Sequence, residues 1–180
     1  LCGSARKNCA VQPLIDAIVD YLPAPDEVPE VSGFHLKKQE TVPLPCTENG
    51  ALSALVFKIQ YDREAGSLCY VRVYSGKIKT GEQVYNVGKK KRERVNRILR
   101  MHSNKSDPLD SVSAGDIAVC IGLKFAQTGD TLGNEAFPIV LENLHFPEPV
   151  ISVAVEPETL SDRDKLKETL EILSKEENGE

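Results

Sequence analysis

The sequence predicts a mainly β protein: a closed antiparallel barrel, preceded by one helix and followed by a strand and a second helix. Three observations carry this. From Leu52 to Asp130 the apolar residues recur with a period of two, in short runs that glycine-containing turns separate about every 8–12 residues. Residues 11–22 carry an apolar stripe at helical spacing instead. Beyond residue 147 a short apolar run leads into a second helical stripe. With 41% hydrophobic and 27% charged residues in 180, the chain has the composition of a folded domain, which excludes global disorder.

The N-terminal stretch reads as a strand stub followed by a helix. Val11, Leu14, Ile15, Ile18, Val19 and Leu22 share one face. Pro13 suits the first helical turn, where its missing N–H costs nothing, and Pro23-Ala24-Pro25 ends the helix. A helix this short cannot hide its stripe alone and is expected to pack on another element. Residues 23–50 hold Pro23, Pro25, Pro29, Pro43 and Pro45 with neither periodicity, so they are expected to be a linker or irregular loop, with 26–44 as the linker proper.

The barrel is expected over 45–147. Leu55, Phe57, Ile59 and Tyr61 alternate with Ala54, Val56, Lys58 and Gln60, and Gly66 turns the chain into the β-rich run 68–74. Gly76 and Gly81 separate short strands at 77–79 and 83–87. Ser113–Asp116 reads as a turn into Ile117–Ile121, and Thr128-Gly129-Asp130 as another. Residues 92–101 fit either a basic amphipathic helix or a strand, and their place within a run of strands favours the strand. After Pro147-Glu148-Pro149 comes a strand over Val150–Val155. Ser161 and Asp164 resemble a capping box ahead of Leu166, Leu170 and Leu173, with Lys167 and Glu171 one turn apart. A strand and a helix make only the beginning of an α+β layer. A chain that starts without Met and stops there reads as an excised fragment, and no secretory signal is expected at its start.

The net charge of −5 is unevenly spread. Residues 1–52 and 104–180 are acidic, whereas 53–103 hold 12 basic against 4 acidic side chains. Lys89-Lys90-Lys91-Arg92 follow Gly88 at an expected hairpin tip, and Arg94, Arg97 and Arg100 are expected to extend the positive surface along the next strand. A raised cluster of cations suits phosphate oxygens, because neutralising them releases counterions. The bland alternative is a charged hairpin that resists edge-to-edge pairing. Tyr70, Tyr74 and Tyr85 could stack on bases, although aromatic residues in alternating strands are more often packing residues, and no base-specific readout is indicated.

No catalytic pattern occurs: no GxSxG, no HExxH and no GxxxxGK[ST]. Glu156 and Glu158, beside Pro157, read as solvent-exposed acids. The five cysteines are odd in number and lack metal-ligand spacing, so the expectation is reduced, mostly buried thiols in a cytoplasmic protein, with no metal site.

An ordered series of short motifs carries a resemblance. Gly3-Ser4-Ala5 with Val11-Gln12-Pro13-Leu14-Ile15-Asp16 looks like the end of the nucleotide domain of a translational GTPase. Val71–Gly76, Lys90–His102, Ala114–Ala118, Thr128–Leu132, Pro147–Ile151 and Val155-Glu156-Pro157 follow in the order of the elongation factor G family. The resemblance spans nearly the whole chain. It implies the end of a GTP-binding domain at 1–25, the translation-factor barrel that forms the second domain at 45–147, and the start of a ferredoxin-like third domain at 148–180. It further implies a parent that hydrolyses GTP with Mg2+ and drives translocation of tRNA and mRNA on the ribosome. In that picture the barrel touches small-subunit ribosomal RNA, with Lys89, Lys90, Lys91, Arg92, Arg94, Arg97 and Arg100 as the contact residues. A small-subunit protein lies near the third domain, and no membrane or DNA is involved. Ser4 and Ala5 would be a remnant of the guanine site. The phosphate loop and switch residues would precede Leu1, so the fragment itself is expected to be a monomeric, cofactor-free and non-catalytic module. Recycling, release and tetracycline-protection paralogues share the barrel. A stand-alone RNA-binding barrel and a small enzyme with an unrecognised site are the readings from other classes.

Overall fold

The computed structural model describes residues 2–62, 64–103, 105–141, 153–157 and 162–177. A 3-10 turn at Ala5–Lys7 leads into α1 (Val11–Tyr21). Thirteen strands follow among the described residues: β1 (Val31–His35), β2 (Glu40–Leu44), β3 (Ser53–Asp62), β4 (Gly66–Ser75), β5 (Lys77–Lys79), β6 (Gln83–Asn86), β7 (Lys91–Arg94), β8 (Arg97–His102), β9 (Lys105–Leu109), β10 (Ser111–Ser113), β11 (Ile117–Ile121), β12 (Thr131–Gly133) and β13 (Ile139–Val140). Helix α2 (Asp162–Glu177) comes last. The mainly β expectation therefore holds, and the ambiguous segment 92–101 is strand, as its context indicated.

Eight strands form one antiparallel sheet in the order β7-β6-β12-β3-β4-β11-β8-β9. Its first strand, β7, and its next-to-last, β8, are separated in the chain only by Val95 and Asn96. That short link also continues both ladders. Val95 exchanges backbone hydrogen bonds with Gly81 and Glu82, at the foot of β6, while the Asn96 N–H donates to the Ile121 carbonyl of β11 at 2.8 Å. The two ends of the sheet are thus drawn together by one continuous run. Its inner face buries Val56, Val71, Val84, Val95, Ile98, Cys120 and Leu132 in a single apolar cluster with Ile78 and Val112 of the separate β5–β10 pair.

Three features depart from the sequence expectation. The predicted alternation of β3 does not run unbroken: Ala54 and Val56 are buried, and then Ile59, because a β-bulge between Val56 and Lys58 shifts the phase. Residues 31–44 are not a linker loop. β1 and β2 form a hairpin whose other neighbour is β13. The strand signal was hidden because Gly33 and His35 occupy the inward positions of β1. A Cβ on Gly33 would lie 2.3 Å from Ile139 Cγ2, so β13 can pack there only over glycine. His35 is buried, its ring edge-on to Phe137 at 4.4 Å, and its Nδ1 accepts from the Lys37 and Lys38 N–H groups to close the turn. Pro43 is tolerated because β2 is an edge strand. At the C-terminal end, residues 153–157 carry no strand, and the rest of the expected strand 150–155, like Ser161 of the capping box, lies outside the described residues.

Gly76 shows why one turn glycine is fixed. It sits at φ +76°, and a Cβ there would fall 2.8 Å from Leu52 Cα. The expected N-terminal strand stub is a single bridge, Ser4 to Cys9.

Helix α1 buries none of its residues, and Leu14, Ile15 and Ile18 are each about half exposed. Local stability follows burial. Amide hydrogen exchange of the 180-residue chain is therefore expected to be slow in β3, β4 and β11 and much faster in α1. Equal protection of α1 and these strands would show that the helix is covered, by the sheet or by a second copy.

Candidate nucleic-acid interface

The basic cluster folds as the β6–β7 hairpin. Gln83 faces Arg94, Val84 faces Glu93, Tyr85 faces Arg92 and Asn86 faces Lys91. Strand alternation sends Val84, Asn86 and Glu93 inward and leaves Arg92 and Arg94 exposed. The turn is set by Asn86, whose Oδ1 accepts the Lys89 N–H at 3.0 Å, and by Lys90 in the left-handed region at φ +54°. Buried Val87 ties it down, donating its N–H to the Thr131 carbonyl at 2.9 Å.

Under the cations lies a polar clamp. Glu93 is only 5% exposed. Its Oε2 accepts the Phe125 N–H at 2.8 Å and its Oε1 accepts from Asn86 Nδ2 at 3.3 Å. Asn86 Nδ2 also donates to Asp130 Oδ2 at 2.8 Å, which accepts the Gln127 N–H at 2.9 Å. The clamp fastens the hairpin to segment 125–130. It satisfies a buried carboxylate with hydrogen bonds rather than with a cation, so the surrounding Lys and Arg heads remain outside.

Those heads divide into three groups. Lys89 donates to Gln127 Oε1, and Lys91 Nζ stands 3.9 Å above the Phe125 ring. Arg92 pairs with Glu135, its Nε at 2.8 Å from Oε2. Lys90, Arg94 and Arg97 have no ion-pair partner among the described residues. The expected arginine row is split. Val95 and Ile98 both point inward, so the strand changes phase between them and Arg97 stays on the outside with Arg92 and Arg94. Arg100 has the opposite parity to Arg97 and lies 3.9 Å from Asp116. Exposed pairs such as these hold their partners by about 0–1 kcal/mol, so an incoming anion can displace them.

Ser4 and Ala5 sit in a tight loop. The Ser4 N–H donates to the Cys9 carbonyl at 3.0 Å, and the Ser4 carbonyl accepts from Lys7 and Cys9. No hydrogen bond or ion pair among the described residues joins this loop to the hairpin. Of the five free thiols only Cys69 and Cys120 are buried, and Cys2 and Cys9 are exposed, which corrects the expectation of mostly buried cysteines. Cys69 and Cys120 face each other across β4 and β11. Burial pushes both thiols up to about 12, with the Glu93 charge adding to the effect on Cys69.

Sequence reasoning located the cations but missed Asn86, Glu93 and Asp130 as one unit. Its one available signal was an isolated acid, Glu93, inside a run of basic residues.

The fold is a mainly β domain that carries an outward basic hairpin. Residues 66–133 match the family model described as elongation factor Tu domain 2, and residues 146–178 match elongation factor G, domain III. The chain is 70% identical to elongation factor G 1 of Treponema denticola, 64% to elongation factor G 2 of Treponema pallidum and 50% to elongation factor G of Thermotoga maritima, each over 98% of this chain and 26% of the relative. It thus spans about a quarter of the length of these relatives, and over that span it is similar to elongation factor G along nearly its whole length. A crystal structure from Thermus thermophilus has the same fold over 98% of this chain and 24% of its own, with a TM-score of 0.69 at 22% identity.

Proposed function

We propose that this chain is the barrel-bearing segment of a ribosomal translocation GTPase, and that its β6–β7 hairpin rests on phosphates of small-subunit ribosomal RNA. In this reading residues 45–147 form the second domain, closed into a barrel by the β7–β8 run, while 1–25 end the GTP-binding domain and 148–180 begin the third. The β1–β2 hairpin then joins the first two rather than hanging as a free linker. GTP and Mg2+ act elsewhere in the full-length cytoplasmic factor, and Ser4 and Ala5 supply one edge of its guanine site. The fragment alone neither binds nor hydrolyses GTP.

The observation that carries the reading is the clamp of Asn86, Glu93 and Asp130. It holds the hairpin rigid while leaving Lys90, Arg94 and Arg97 outward and without counter-charges among the described residues. Preorganised cations of this kind bind phosphate without reading sequence. The test is ribosome association of the full-length factor carrying Lys90→Glu and Arg94→Glu. Each lost phosphate contact is expected to lower the slope of log affinity against log salt by roughly 0.7–0.9. Guanine-nucleotide binding should stay unchanged. An unaltered salt slope would return the hairpin to the role of a solvated, aggregation-resistant surface.

A further inference from the structure

Beside the basic hairpin, on the outer face of the sheet, lies a cleft of about 260 Å3. Its floor is a row in register across three strands: Arg92 of β7, Tyr85 of β6 and Gly133 of β12. Gly133 brings no side chain to that row, which opens the cleft; a Cβ there would stand 3.1 Å from the Leu52 carbonyl oxygen. Leu52 supplies an apolar wall, and Gln83 and Asn134 line the rim. Tyr85 is half-buried, and neither its hydroxyl nor the Gln83 amide makes a hydrogen bond among the described residues. Asn134 Oδ1 is occupied by the Ala136 N–H at 2.9 Å, so its amide nitrogen is left to donate. Glu135 holds Arg92 at the mouth.

We propose that this cleft takes one unstacked nucleobase of the RNA whose phosphates the hairpin holds, with Tyr85 as the stacking platform. The inference rests on the phosphate-binding reading above and adds a base site to it. The volume lies below the roughly 300–1,000 Å3 of pockets for whole small-molecule ligands, and a single planar ring suits it. An aromatic face beside an arginine is a sequence-tolerant base platform, because every base has a π-face. Gln83 sits opposite Arg94, so base cleft and phosphate cation are neighbours, as they must be for one nucleotide to engage both. Bases in a duplex cannot reach such a cleft, whereas those of loops and bulges can.

The test measures binding of the 180-residue chain to a single-stranded, mixed-sequence RNA 12-mer and to the same backbone with abasic positions, across a salt series starting at low ionic strength. Tyr85→Ala is expected to weaken binding roughly 5- to 100-fold, and Tyr85→Phe to stay within about twofold of wild type. Both should keep the wild-type salt slope. Wild type should bind the abasic strand as weakly as Tyr85→Ala binds the normal one. If Tyr85→Ala binds as wild type does while Lys90→Glu with Arg94→Glu weakens binding, the cleft proposal fails and the phosphate reading stands. If wild type shows no salt-dependent binding at all, both fail. Melting of each variant checks that the fold is kept, and the phenylalanine variant separates loss of the ring from loss of the hydroxyl.

Discussion

Glu93→Ala should unfold at a temperature roughly 5–15 °C below wild type. The substitution leaves the partly buried Phe125 N–H and one buried Asn86 amide hydrogen without their acceptor. Each such orphan costs about 1–3 kcal/mol. In a chain of this size 1 kcal/mol moves the melting temperature by about 2–4 °C. Glu93→Gln should fall between the two, because it keeps one acceptor oxygen but turns an NH2 group toward the other donor. The damage should be local as well as global: exchange at Lys89–Lys91 should accelerate more than in β3 or β4. A Glu93→Ala protein that melts as wild type does would show that the clamp does not hold the hairpin.

Above pH 9 the protein is expected to lose stability faster than a variant lacking its two core thiols. Cys69 and Cys120 ordinarily ionise near 9.0, and burial in the native sheet pushes them to about 12. The folded state therefore keeps protons that the unfolded state releases. The stability linked to each thiol is whole below pH 9 and is lost as pH rises toward 12, at a limiting rate of about 1.4 kcal/mol per pH unit. Chemical denaturation at pH 8, 9, 10 and 11, for wild type and for Cys69→Ala with Cys120→Ala, isolates this effect from the tyrosines and lysines common to both. Parallel curves for the two proteins would contradict it. The same burial predicts that thiol reagents label Cys2 and Cys9 in the native state and reach Cys69 and Cys120 only on unfolding.

Much of this architecture was legible in the sequence because its cause is local. Helix α1 follows from its apolar stripe and the proline-rich stop after it. The turns at Gly66, Gly76, Gly81, Gly115 and Gly129 follow from glycine's access to positive φ, which all five adopt. Other features depend on distant partners and left no local mark. The inward residues of β1 are a glycine and a histidine, whose meaning depends on Ile139 and Phe137 about a hundred positions later. The bulge in β3 appears only once β4 is laid beside it. The site divides in the same way. Charge density marked the hairpin, but which cations stay unpaired depends on Gln127, Phe125, Glu135 and Asp116, each from another part of the chain. Arg100 was grouped with Arg97 by spacing, and the phase change between Val95 and Ile98 separates them.

The outward, clamped basic hairpin is proposed to meet ribosomal RNA through its phosphates. Chemical footprinting of the small ribosomal subunit with the full-length factor tests it most directly. Wild type should protect a patch of small-subunit RNA backbone, and Lys90→Glu with Arg94→Glu should lose that protection while protections due to the rest of the factor persist. An identical footprint from both proteins would contradict the account.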